Sequence, residues 1–167
     1  KVFKGIAQRG KCSMGWFFGF KLHLICNEKG ELLNFMITLG DVDDRKPLEY
    51  KDFVDFIYGK LVGDKGYISK NLFQRLFVDG IQLITKLKSN MKGALMSVSD
   101  RLLLRKRAII ETVNDELKNI AQVEHSRHRC FDNFIVNLLG AIAAYCLFSK
   151  KPCINVQRTI DTQLALF

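Results

Sequence analysis

The sequence predicts a mixed α/β domain, and three observations carry that prediction. Aromatic and β-favouring residues crowd the stretch from Trp16 to Cys26. A short apolar run ends in a lone carboxylate at Leu61-Val62-Gly63-Asp64, with Lys65-Gly66-Tyr67 directly after it. Two segments rich in helix-forming residues, Arg101 to Ala121 and Asn133 to Phe148, come late in the chain. The expected element order is β-β-α-β-α-β-α-α.

In the first strand Phe18, Phe20, Leu22 and Leu24 share one parity, against Gly19, Lys21 and His23 on the other. That alternation describes a strand with one apolar face, which leaves His23 at the surface and Trp16 and Phe17 as core packing or base-stacking residues. Asn27-Glu28-Lys29-Gly30 is a turn, and Glu31 to Leu39 is the return strand of a hairpin. The polar stretch Gly40 to Pro47 precedes a helix expected to turn Leu48, Phe53, Phe56 and Ile57 inward. The strand leading to Asp64 follows. Ser69 then caps a helix through Phe77 that stops at Asp79-Gly80. Ile81 to Leu87 is a short strand, and the weakly periodic Ser89 to Ser99 reads as a mobile connection. Pro152 ends the ordered chain. Residues 1–150 are therefore expected to form the domain and 151–167 a peripheral tail.

Composition narrows the function classes. Lys and Arg total 26 against 17 Asp and Glu, a formal charge of +9. That excess favours a polyanionic partner, with nucleic acid first and an anionic membrane surface second. The 5 cysteines include no Cys-x-x-Cys pair, which argues against a zinc ribbon or a disulfide framework and for reduced thiols. No signal-peptide pattern opens the chain, and the apolar run from Leu138 to Phe148 is too short to span a bilayer. A soluble protein, and a piece of a longer one, is the expectation.

Two stretches bear chemistry. A carboxylate at the C-terminal end of a buried strand is where α/β proteins usually place a site, although an Asp there also serves as a turn former or helix cap. On the helix, Arg107, Glu111 and Lys118 project within about 40° of one another, with Asn114 near that line. Such a face presents a guanidinium, a carboxylate and an ammonium together; the bland alternative is a solvated face laced by i,i+4 pairs. His125, His128 and Cys130 cluster in a basic loop but are too few for a metal site.

Taken together, these stretches resemble the DDE transposases of bacterial insertion sequences. The resemblance runs through Gly15-Trp16-Phe17-Phe18-Gly19-Phe20-Lys21-Leu22-His23, Gly40-Asp41-Val42-Asp43-Asp44 and Gly63-Asp64-Lys65-Gly66-Tyr67. It continues through Arg107-x3-Glu111-x6-Lys118 to His128-Arg129. Leu104 stands where that family usually has a Tyr. The resemblance implies a ribonuclease-H-like mixed sheet flanked by helices, and an enzyme that cuts and joins DNA with two Mg²⁺ (or Mn²⁺) ions held by three carboxylates. Asp64 and Glu111 would be the second and third of these catalytic metal ligands. Arg107 and Lys118 would contact DNA phosphates or steady a ligand. Lys86, Lys88, Lys92, Arg101, Arg105 and Lys106 would extend the phosphate-binding surface.

The family's first carboxylate lies on a central strand before the aromatic hairpin, and nothing from Lys1 to Gly15 is acidic. The first central strand is therefore expected to be missing and the chain inactive alone. Asp41, Asp43 and Asp44 match a family loop rather than that strand. The implied partners are DNA, both terminal repeats and target, and a second copy as a homodimer on DNA. The implied location is the bacterial cytoplasm at the nucleoid. Two other readings stay open: a non-catalytic DNA-binding remnant of a degenerate element, and a basic scaffold with a protein partner.

Overall fold

A computed structural model of the 167-residue chain describes residues 2–12, 15–86, 96–124 and 127–153, together with the backbone of 164–166. Five strands and five helices alternate through its body. They are β1 (Gln8–Cys12), β2 (Gly15–Asn27), β3 (Leu32–Leu39), α1 (Lys51–Val54), β4 (Gly59–Gly63), α2 (Lys70–Val78), β5 (Ile81–Thr85), α3 (Val98–Lys106), α4 (Ala108–Asn119) and α5 (Phe131–Cys146). A last strand, β6 (Leu164–Leu166), comes from the tail. Among the described residues no helix is long and apolar enough to cross a membrane.

The strand order is β1-β2-β6-β4-β5, with β3 also paired to β2. β1 and β3 are antiparallel to β2, while β4 and β5 are a parallel pair linked through α2. A parallel pair needs such a crossover, because a tight turn can only reverse the chain. The slot expected to lack its strand holds β6, antiparallel to β2 through Cys26↔Leu166 and parallel to β4 through Lys60↔Leu164 to Val62↔Leu166. The tail read as peripheral thus places its last strand in the middle of the sheet.

Side-chain parity builds two cores from one sheet. Leu24, Cys26, Val62 and Ile84 point to one face, under Leu104, Ile109, Ile110, Val113, Leu117 and Tyr145 of α3, α4 and α5. Ile25, Leu61, Ile81 and Leu83 point to the other, against Leu48, Phe53, Val54, Ile57, Leu72 and Leu76 around α1 and α2. A sheet covered on both faces reads as apolar runs rather than clean alternation. That is why His23, on the parity read as polar, is buried: its Nε2 lies 2.8 Å from the Thr38 hydroxyl. Burial holds its pKa below the ordinary histidine value, with Asp44 opposing and Lys21 adding to the effect.

Local signals explain most boundaries. Ser69 accepts from Leu72 N–H and starts α2, and Gly80, at φ +79°, follows its end. Two elements differ from expectation. Phe56 is not a core residue but 79% exposed, because the first helix ends at Val54. The long helix is two, interrupted at Arg107, where the Ile110 N–H returns to the Arg107 carbonyl in a tighter turn. Leu87 and most of the stretch Ser89 to Ser99 lie outside the described residues; its end, from Val98, begins α3.

Lys60 on β4 donates to Asp100 on α3 at 2.8 Å, with the two side chains 31% and 15% exposed. Burial alone would raise the Asp100 pKa, but the hydrogen bonds from Lys60 and Ser97 overcome it and the pKa is lowered. A lowered carboxyl pKa contributes stability above the unfolded value of about 3.9 and loses it as pH falls through the folded value. Asp100→Asn is accordingly expected to cost about 1 kcal/mol at neutral pH. The difference from wild type should shrink in acid, as measured by urea unfolding at both pH values. An equal cost at both would show that the charge is not what matters.

Candidate active site

The site forms where β4 ends. Gly63 is the last strand residue, and a Cβ there would come within 3.3 Å of the Tyr67 ring, so glycine lets that ring lie against the strand end. Asp64 follows with extended backbone and caps a short 3-10 turn, Lys65–Tyr67, its Oδ1 accepting from Lys65 N–H at 2.7 Å. Asp64 thus caps a turn and also lines a cleft. Gly66 has no left-handed backbone, and the turn does not depend on it for that reason.

The cleft has a volume of about 730 Å³. Asp64 and Tyr67 form one wall, and Arg107, Ile110, Glu111 and Asn114 from the start of α4 another. Arg107 Nη2 donates to Glu111 Oε1 at 2.8 Å, one helical turn away. Tyr67 is half-buried; burial, together with Asp44, Asp64 and Asp43, pushes its hydroxyl pKa up, while Arg107 opposes.

A third wall is the loop after β3, which sequence reasoning set aside. Lys21 on β2 reaches it with two hydrogen bonds, to the Val42 carbonyl at 2.7 Å and to Asp44 Oδ1 at 2.8 Å. Within the loop Asp43 accepts from Arg45 through both carboxylate oxygens, at 2.9 and 2.7 Å. That guanidinium holds the Asp43 carboxyl well below the usual range. The polar parity of β2, which placed Lys21 opposite the apolar residues, was the available signal; a cation there needs an anion to face.

Five carboxylates (Asp41, Asp43, Asp44, Asp64, Glu111) and four cations (Lys11, Lys21, Arg45, Arg107) line the cleft. It is therefore nearly balanced in charge and differs in kind from a basic groove. Asp64 and Glu111 offer hard oxygen donors of the sort Mg²⁺ takes. They suit the ion in kind but fall short in number: among the described residues no three His, Cys, Asp or Glu side chains are placed to hold a metal.

A family model described as a transposase DDE domain matches residues 1–131. The chain belongs to that family. No curated protein and no solved structure matches it significantly. The matched region includes β1 to β5, the cleft and all of α4, so the transposase resemblance read from the sequence holds across the site.

The remaining expected residues of this transposase domain distribute as follows. Lys118 does not line the cleft; it pairs with Glu124 at 2.9 Å near the far end of α4. Lys86, just past β5, and Arg105, on α3, are exposed. Lys88, Lys92 and His125 lie outside the described residues. Leu104, standing in the family's Tyr position, is buried in the core beside Ile109 and Val113, so apolar packing occupies the place of a polar contact.

Proposed function

We propose that this transposase domain contributes two of three catalytic carboxylates to an enzyme that cleaves DNA strands and transfers them, on a ribonuclease-H-like fold. The observation that carries the reading is the meeting of Asp64, from a buried strand end, with Glu111 and Arg107, from a helix, across one cleft. Asp64 and Glu111 would hold Mg²⁺ or Mn²⁺, which when bound supplies activation of an attacking water or 3′-hydroxyl and charge stabilisation at the leaving oxygen. Arg107 keeps the Glu111 carboxylate oriented toward the cleft and offers its remaining donors to a phosphate. Lys11 and Lys21 stand on the opposite wall, where a phosphodiester entering the cleft gains a second cationic contact. Lys86 and Arg105 extend the path for the backbone, and Lys118 adds a cation farther along α4. The partners are terminal-repeat and target DNA, engaged by a homodimer at the nucleoid.

By the family pattern the third carboxylate belongs on a central strand preceding β1, which would take the slot between β2 and β4 that β6 holds here. The test compares nicking of supercoiled plasmid, with Mg²⁺ or Mn²⁺, by this chain and by an upstream-extended form. Little or no nicking by the first and robust nicking by the second is expected. Robust nicking by the shorter form, abolished by Asp64→Ala, would show that the first carboxylate has been misplaced. Asp43 and Asp44 share the cleft with Asp64 and Glu111 but are held by Arg45 and Lys21, which favours one second reading: a DNA-binding remnant without chemistry. That reading predicts salt-sensitive DNA binding and no metal-dependent nicking by either form.

A further inference from the structure

The β1–β2 hairpin carries an exposed face that adjoins the cleft and shares only Lys11 with it. In its antiparallel register Lys11 stands opposite Trp16 and Arg9 opposite Phe18. Residues directly opposite share a face of the ribbon, with Cβ atoms roughly 5 Å apart. Positions two apart share it too. One face of the hairpin therefore presents two aromatic rings and two cations in a two-by-two array. All four are exposed, Trp16 to 69%, and the Lys11 ammonium lies 5.7 Å from the Trp16 ring centroid. The other face is anchored: Gly10 is buried, and a Cβ on it would collide with the Gly40 carbonyl and the Phe17 ring.

Core packing does not account for Trp16 in that array. A tryptophan normally contributes by burying most of its area, and this one is left mostly in water although Phe17, its neighbour, turns inward. Arg9 and Lys11 have no acidic residue across the ribbon from them, since their partners are Phe18 and Trp16. Alternating aromatic and cationic side chains are the composition that binds single-stranded nucleic acid: the rings stack on bases and the cations follow the phosphates. Trp16 and Phe18 are separated by about 7 Å along the strand, roughly two base-stacking steps. Lys11 also lines the cleft that holds Asp64 and Glu111, so a strand on this face leads into the site.

We propose that the Arg9/Lys11/Trp16/Phe18 face of the hairpin binds single-stranded DNA, with Trp16 stacking on an unpaired base next to the cleft. The proposal rests on the nucleic-acid reading given above and adds the form of the DNA, an unpaired segment rather than intact duplex. Stacking is indifferent to base identity, so the surface selects for strand separation and not for sequence.

Trp16 is the sole tryptophan, so its emission reports on this face alone. Titrating the chain with a short oligothymidylate at low salt is expected to quench that emission. Trp16→Leu should weaken the oligonucleotide about tenfold, read by anisotropy of labelled DNA, while Trp16→Phe retains most of the affinity. Lys11→Gln should lower the slope of log K against log salt by about 0.7. Circular dichroism confirms that each variant folds, which an exposed position makes undemanding. Unchanged emission while the labelled oligonucleotide binds would overturn the proposal, as would full affinity in Trp16→Leu. Equal quenching by a duplex would replace the single-strand assignment with a duplex-binding surface. None of these measurements needs metal or cleavage. Quenching without nicking by the upstream-extended form would therefore sink the catalytic reading and leave this one, and nicking by that form without quenching would do the reverse.

Discussion

Asp64→Asn is expected to lower metal-dependent strand cleavage by the upstream-extended form about a thousandfold while leaving the fold at near wild-type stability. The two parts of that expectation separate the two jobs of the residue. As a turn cap Asp64 needs only an oxygen to accept the Lys65 N–H, and the amide oxygen of Asn serves as well. As a metal ligand it needs its charge, which Asn lacks. Glu111→Gln should behave alike, because Arg107 donates to one carboxylate oxygen and an amide oxygen still accepts that bond. The double variant should be little worse than either single one, since residues acting as a unit do not add. Glu49→Gln, which disturbs only the surface pair with Lys46, serves as the control and should cleave normally. Initial nicking rates with Mn²⁺, alongside urea unfolding, make the measurement. If Asp64→Asn keeps cleavage within tenfold of wild type, Asp64 is a turn cap and nothing more.

The site was legible in sequence to the extent that its chemistry is local. Asp64 ends a short apolar run, and the one-turn spacing of Arg107 and Glu111 puts them on one face of the helix, so both halves of the pair could be read from neighbours in the chain. The rest of the cleft is not local. Lys21 and Asp44 are separated by 23 residues and meet only because β3 returns along β2 and delivers its following loop to that edge. No spacing rule connects them. Lys118 stands apart from the cleft for the opposite reason: helical geometry puts it on the same side of α4, but two turns beyond Glu111 the cleft has ended and Glu124 is its neighbour.

The fold divides along the same line. Hairpin, helix caps and the β4–α2–β5 unit follow from patterns within a dozen residues. β1 has no such pattern: Gln8-Arg9-Gly10-Lys11-Cys12 is polar and mostly exposed, and it is a strand because β2 offers it a partner. β6 is harder still, since three residues of the tail pair with strands more than a hundred positions earlier. The break at Arg107 carries neither glycine nor proline to announce it. Trp16 shows where a sound rule misleads. An aromatic residue in a strand usually packs inward, and this one faces solvent because the hairpin has only one covered side.

Tyr145 is the residue whose loss should most damage the fold. It is fully buried in α5, packs 5.5 Å from the Phe148 ring and donates its hydroxyl to the Gly30 carbonyl at 2.6 Å. Burial pushes that hydroxyl's pKa up, so it remains a donor throughout the accessible pH range. The acceptor is itself constrained: Gly30 sits at φ +69° in the β2–β3 turn, and the Pro152 carbonyl occupies the place a Cβ would take. One side chain thus ties the last helix to the turn of the central hairpin, 115 residues earlier. Tyr145→Ala removes the ring and is expected to cost about 3–5 kcal/mol, as large aromatic-to-alanine changes in cores do. The corresponding fall in Tm is roughly 10 °C for a domain of this size. Tyr145→Phe keeps the packing and leaves the Gly30 carbonyl buried without its donor, for about 1–2 kcal/mol. Urea unfolding of the three proteins separates the two contributions. A Phe variant as stable as wild type would show that packing alone holds α5 to the hairpin. An Ala variant losing less than the Phe variant would show that this contact is not the tie between them.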